Sequence, residues 1–101
     1  MSIEAFDVIV IGTGPAGEAV AGELADQGRS VAVVEAALVG GECAFYACMP
    51  SKALLRPAEV LAEARRVPGA AEAITGPLDV AATLARRDDV IHGLDDASKV
   101  S

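Results

Sequence analysis

The sequence runs to 101 residues, enough for one small domain and no more. Its 52% hydrophobic and 23% charged residues mark a globular rather than a disordered chain, and its formal net charge of −7 argues against nucleic acid and anionic membrane surfaces as partners. Phe6, Phe45 and Tyr46 are its aromatics, so the core has to be built from Val, Ile, Leu and Ala.

The start, Met1-Ser2-Ile3-Glu4, is not basic, and the apolar run after it is cut short by a glycine turn. No secretory signal is therefore expected, nothing approaches a membrane span, and a cytoplasmic location is the default. Residues 6–11 (Phe-Asp-Val-Ile-Val-Ile) have the β-branched pattern of a strand buried on both faces of a parallel sheet. Glycines follow, then a predicted helix over residues 15 to about 27, with Ala16, Ala19, Val20, Leu24 and Ala25 near helical spacing and Gly28 as its stop. Residues 30–35 (Ser-Val-Ala-Val-Val-Glu) are the second strand, which completes one βαβ unit.

Between strand and helix lies Gly12-Thr13-Gly14-Pro15-Ala16-Gly17, a match to G-x-G-x-x-G. The spacing alone is weak, but its setting is the one the physics requires. Gly12 permits a tight turn, Gly14 lets backbone approach a pyrophosphate, and Gly17 lets the helix lie close to the strand. Pro15 suits the first helical turn, where its missing N–H would have had no intrahelical partner. Up to Pro50 the one basic residue is Arg29, so phosphates have to be held by backbone N–H groups and the positive helix end. Glu35 closes the second strand, where a carboxylate can accept from ribose hydroxyls. The structural alternative is a plain glycine turn with a surface glutamate; strand, helix and acid in register favour dinucleotide binding. The fingerprint does not separate FAD from NAD.

Val39-Gly40-Gly41 breaks regular structure, and a helix is expected around the cysteines and on to Arg66, disturbed at Pro50 and kinked at Pro57. Cys43 and Cys48 enclose four residues. A structural zinc site needs four donors, and two cysteines with His92 as the sole histidine do not supply them. Two thiols packed as small hydrophobes are the other alternative. Were the pair to bridge, the helix between them would have to be distorted, since positions i and i+5 of a regular helix lie roughly 8–9 Å apart and a disulfide wants less than about 7 Å.

The segment Gly40-Gly41-Glu42-Cys43-x4-Cys48-Met49-Pro50-Ser51-Lys52 resembles the active-site signature of the pyridine nucleotide-disulfide oxidoreductases. The glycine fingerprint, Glu35 and the cysteine motif stand in that family's order and spacing, over residues 6 to about 55. The resemblance implies FAD as the dinucleotide, with Gly12, Gly14, Pro15, Ala16 and Gly17 at its pyrophosphate and Glu35 at its ribose. It implies a redox disulfide between Cys43 and Cys48, reduced by hydride that NAD(P)H passes to the flavin. Cys48 would be the thiolate against the flavin and Cys43 the thiol that meets substrate. Glu42 and Cys43 would border the cofactor, and Lys52 would sit near its ring. Three positions depart from the pattern: Glu42 stands where a threonine is common, Phe45-Tyr46 replaces a more polar pair, and Ala47 replaces glycine. These bear on the acceptor, for which lipoamide, a low-molecular-weight disulfide, mercuric ion and a quinone are all open. The alternatives are a nucleotide-binding remnant without turnover and a flavoprotein with idle cysteines, such as a transhydrogenase-like enzyme.

Pro68-Gly69 punctuates the chain, and Asp79 looks like the N-cap of a last helix over residues 80 to about 92, with Val80, Leu84 and Ile91 along one side. His92 reads as a solvated residue at a helix end, and residues 95–101 as a polar tail that frays. Two strands cannot bury both faces of a sheet. The expected fold is thus α/β: the opening βαβ of a doubly wound, Rossmann-like FAD-binding domain, incomplete and followed by helices. Residues 1–101 are expected to be a fragment of a longer protein, whose NAD(P)H domain and homodimer interface lie elsewhere.

Overall fold

The computed structural model describes residues 2–100; the parts of the start and tail expectations that fall on Met1 and Ser101 lie outside it. Strand β1 (Val8–Ile11) pairs parallel with β2 (Val31–Val34), Val8 opposite Val31 and Ile11 opposite Val34. Between them runs α1 (Pro15–Asp26), which gives the βαβ unit its expected order. The strands are shorter than expected, and just ahead of them Asp7 and Ser30 bond through side chains. Asp7 N–H donates to Ser30 Oγ (2.9 Å), while Ser30 N–H (2.8 Å) and hydroxyl (3.0 Å) donate to Asp7 Oδ2. Those donors hold the Asp7 carboxyl below its ordinary pKa, the backbone bond from Ser30 foremost.

Helix α1 ends as the glycine suggested. Gly28 takes φ +80°, its N–H bonds the Ala25 carbonyl (2.9 Å) and Arg29 N–H bonds that of Leu24 (3.0 Å), the two bonds of a Schellman cap. Its inward stripe, however, is Gly17, Ala21 and Leu24, while Ala16, Ala19, Val20 and Ala25 face outward. The expected apolar face was drawn too far round the helix, because alanines cover more than one side of it. The expectation of a strand buried on both faces is also corrected. Val10 is buried toward α1, but alternation puts Ile9, Ile11 and Val34 on the opposite face, where Ile11 is 86% exposed.

Helices α2 (Gly41–Phe45) and α3 (Cys48–Arg66) replace the single disturbed helix. The break falls at Tyr46 and Ala47, not at Pro50. Pro50 is the third residue of α3, where an N–H would have no intrahelical partner and its loss costs nothing. Pro57 lies deeper in α3, and its ring nitrogen cannot donate to the Ala53 carbonyl one turn back. Arg86 of α4 (Val80–Val90) fills that gap: its Nη1 donates to Ala53 O at 2.7 Å.

Asp79 caps α4 as expected, accepting from Ala82 N–H at 2.9 Å. The inward side of α4 is Thr83, Arg87 and Val90, leading to the buried Ile91, whereas Val80 and Leu84 are exposed. Of the expected stripe only Ile91 is buried. Phe45, Pro50, Ala53 and Ile91, from α2, α3 and the end of α4, are also buried, and Phe45, Pro50 and Ile91 line one hollow. The described tail is not frayed. It forms α5 (Ala97–Val100), and Asp96 Oδ2 accepts from Val39 N–H at 2.6 Å, which pins it beside the loop ahead of α2.

Candidate functional site

The glycine turn follows from its residues one by one. Gly12 takes φ +96°, a conformation that side chains resist, and its N–H bonds the Val34 carbonyl at 2.7 Å. Gly17 is required for a different reason: a Cβ there would run into the Gly12 carbonyl oxygen. Gly14 caps α1 in extended geometry with Pro15 next, and the first-turn N–H groups at Ala16 and Gly17 have no intrahelical acceptor. Nothing lies within 4 Å of where a Cβ on Gly12 or Gly14 would stand. This open turn, with the positive end of a 12-residue helix behind it, fits a pyrophosphate held by backbone.

Glu35 reaches back from the end of β2 to the same turn. Its Oε1 accepts from the Thr13 hydroxyl (2.5 Å) and the Thr13 N–H (3.0 Å). Its Oε2 accepts from the N–H groups of Ala36 (2.8 Å) and Ala37 (3.2 Å). These donors, the Thr13 hydroxyl foremost, lower the Glu35 pKa from 4.5 to about 2, so the group is a carboxylate at any ordinary pH. A ribose hydroxyl arriving at Glu35 would share an acceptor already engaged on both oxygens.

Thr13, an unspecified position of the fingerprint, is the residue that sequence reasoning missed. It is 5% exposed, and its hydroxyl also accepts from Gly40 N–H at 3.0 Å. Gly40 caps α2, and a Cβ on the following Gly41 would stand 2.6 Å from Gly14 Cα. The glycine turn and the start of the cysteine-bearing helix are therefore in contact through residues that allow no side chain. A cleft of about 510 Å³ opens beside them, lined by Thr13, Val33, Glu35, Gly40 and Lys99 among others. Lys99 brings a cation to the cleft, which Arg29, the one basic residue before Lys52, does not line.

Cys43 in α2 and Cys48 at the start of α3 are disulfide-bonded, with Cα atoms 4.5 Å apart. That distance is reached because the helix fails between them. The Glu42 carbonyl takes both the Tyr46 and the Ala47 N–H at 2.7 Å, and Ala47 adopts φ −126°, ψ −91°. Glu42 is exposed, with its side chain turned outward. Lys52 is exposed on the first turns of α3 and lines a separate groove of about 340 Å³ with Met49, Arg56 and Arg86. The structure thus joins Gly12, Gly14, Gly17 and Glu35 in one cluster that touches the cysteine segment, and leaves Lys52 on another groove. His92 is exposed with φ +54°, at the helix end where it was expected. Among the described residues no helix is long and apolar enough to cross a membrane.

A family model described as pyridine nucleotide-disulphide oxidoreductase matches residues 6–100. A dihydrolipoyl dehydrogenase of Chlamydia muridarum is 39% identical over 94 residues, covering 92% of this chain and 20% of that protein. One of Chlorobaculum parvum is 53% identical over 55 residues, covering 54% of this chain and 12% of its own length. A soluble pyridine nucleotide transhydrogenase of Chromohalobacter salexigens is 51% identical over 55 residues, with the same coverages of 54% and 12%. The chain spans a fifth or less of these relatives.

Proposed function

Because the chain belongs to the pyridine nucleotide-disulphide oxidoreductase family, we propose that residues 1–101 form the opening part of an FAD-binding domain in an NAD(P)H-dependent flavoprotein disulfide reductase. What carries the reading is the Cys43–Cys48 disulfide, borne on a segment whose first residue, Gly41, lies against Gly14 of the open glycine turn. In this reading the backbone of Gly12, Gly14, Ala16 and Gly17 holds the cofactor's pyrophosphate, Pro15 presets the turn, and Glu35 faces its ribose. Glu42, outward-turned, borders the site without opposing phosphate, and Lys52 supplies positive charge toward the ring. FAD bound there would supply the relay that accepts hydride from NAD(P)H and delivers two electrons to the disulfide.

The chain's own residues carry the rest. Two electrons and two protons convert the Cys43–Cys48 bond into two thiols. Cys48 heads a 19-residue helix, whose positive end favours thiolate over thiol once the bond opens. Cys43 then attacks a substrate disulfide, Cys48 displaces the mixed disulfide, and two thiols of the substrate leave as the protein bond re-forms. The acceptor is a small-molecule disulfide or similar oxidant, and the protein acts as a homodimer in the cytoplasm.

The test uses the full-length protein with its flavin bound. NADH or NADPH oxidation should depend on an added disulfide such as lipoamide, and Cys43→Ser should abolish it while leaving the flavin in place. Turnover indifferent to Cys43→Ser would favour the transhydrogenase-like reading, to which relatives such as the Chromohalobacter protein point.

A further inference from the structure

We propose that Thr13 is a positioning residue: its buried hydroxyl, bonded to Glu35 on one side and Gly40 on the other, holds the glycine turn and the cysteine-bearing helix in a single register. The inference deepens the proposed function, since it concerns how the dinucleotide turn and the disulfide keep their places. Three bonds converge on this one side chain and its own amide. The hydroxyl has a single proton, which goes to Glu35 Oε1 at 2.5 Å, and its lone pair takes the Gly40 N–H at 3.0 Å. The Thr13 amide adds a second bond to the same Oε1 at 3.0 Å.

The direction of these bonds matters. An ionised Glu35 can only accept, so it fixes where the hydroxyl proton points and leaves the oxygen's lone pairs toward Gly40. Thr13 and Gly40 are both buried beside the cleft, so removing the hydroxyl takes from the Gly40 N–H the one acceptor it has among the described residues. Gly40 is the cap of α2 and lies three residues before Cys43, while the far end of α2 is held by the doubly bonded Glu42 carbonyl. With both ends held, Cys43 stays opposite Cys48. With the Gly40 end released, Cys43 ranges more widely in the reduced protein, and the effective concentration of one thiol at the other falls.

The consequence is read on the full-length protein with its flavin bound, in a redox buffer without nicotinamide. The reaction is dithiothreitol plus the protein disulfide going to cyclic dithiothreitol disulfide plus two protein thiols, followed on the intact polypeptide by alkylation and mass. Thr13→Val keeps the shape and removes the hydroxyl; Thr13→Ser keeps the hydroxyl. In Thr13→Val the ratio of dithiol to disulfide at fixed buffer should rise about tenfold, or about 30 mV for a two-electron couple. Its Gly40 amide should exchange with deuterium at least tenfold faster than in the wild type. Thr13→Ser should match the wild type in both. An unchanged redox ratio in folded Thr13→Val overturns the proposal, and so does a serine variant that shifts as far as the valine one. Should Thr13→Val fail to fold, Thr13→Ser decides by itself: retained Gly40 protection upholds the role and its loss ends it. A protein that passes here but oxidises no NAD(P)H with any disulfide would sink the proposed function while leaving this inference standing.

Discussion

Glu35 is the residue whose chemistry departs most from its sequence setting. As a strand-end acid it suggests a ribose acceptor, yet both its oxygens are engaged by Thr13, Ala36 and Ala37. Its stabilising role follows the sign of its pKa. A folded value of about 2 against an ordinary 4.5 means the contribution is complete above pH 4.5 and is lost as pH falls toward 2. Glu35→Gln should therefore be less stable than the wild type at pH 7, and the difference should vanish between pH 4.5 and 2 in parallel acid-unfolding curves. Glu35→Ala in the flavin-loaded full-length protein should weaken FAD binding about ten- to a hundredfold, measured by flavin retention on dilution. Unchanged retention would reduce Glu35 to a brace for the turn. Gly17→Ala leaves no room for accommodation, because the clash is with backbone at Gly12. It should cost about 3 kcal/mol, seen as a lowered Tm.

At the level of elements, the sequence made the βαβ unit plain through glycine, proline and strand pattern, since each of those signals acts locally. The Schellman stop at Gly28 and the Asp79 cap were equally readable. The faces of α1 and α4 were not. In helices rich in alanine, periodicity underdetermines which side turns inward, and packing on Val10 or beside α3 decides it. The position of the α2–α3 break was half visible: the bridge demanded a distortion, but only the geometry of the Glu42 carbonyl puts it at Tyr46 and Ala47. The pairing of Arg86 with the carbonyl that Pro57 leaves free was invisible, because 33 residues separate donor from acceptor. It makes a sharp prediction. Arg86→Met should cost about 1 kcal/mol in the presence of Pro57 and distinctly less in Pro57→Ala, where an intrahelical bond replaces the guanidinium. A double-mutant cycle on thermal or urea unfolding reads the difference, and additive effects would mean that Arg86 merely lies against α3.

The whole molecule is long and thinly packed. Its radius of gyration is 20.0 Å, against about 13 Å for a compact domain of this size. Ile9, Ile11, Val33 and Val34 are among the apolar residues exposed on the strands, and β1 and β2 have no other strand beside them among the described residues. The 101-residue polypeptide on its own should therefore bind the dye ANS, self-associate with rising concentration in sedimentation and melt without a sharp transition. Supplied with FAD, NADPH and a disulfide, it should show no sustained oxidation at the nicotinamide band. Monomeric, cooperative melting would refute the first expectation, and turnover abolished by Cys43→Ser the second. Length also gives the disulfide a mechanical setting. The 19 residues of α3 span about 28 Å, and the helix begins at the non-helical joint enclosed by the cysteine ring. A tilt of about 10° at Cys48 would swing Arg66 through about 5 Å, so the bond that closes this joint also sets the aim of the longest helix in the molecule.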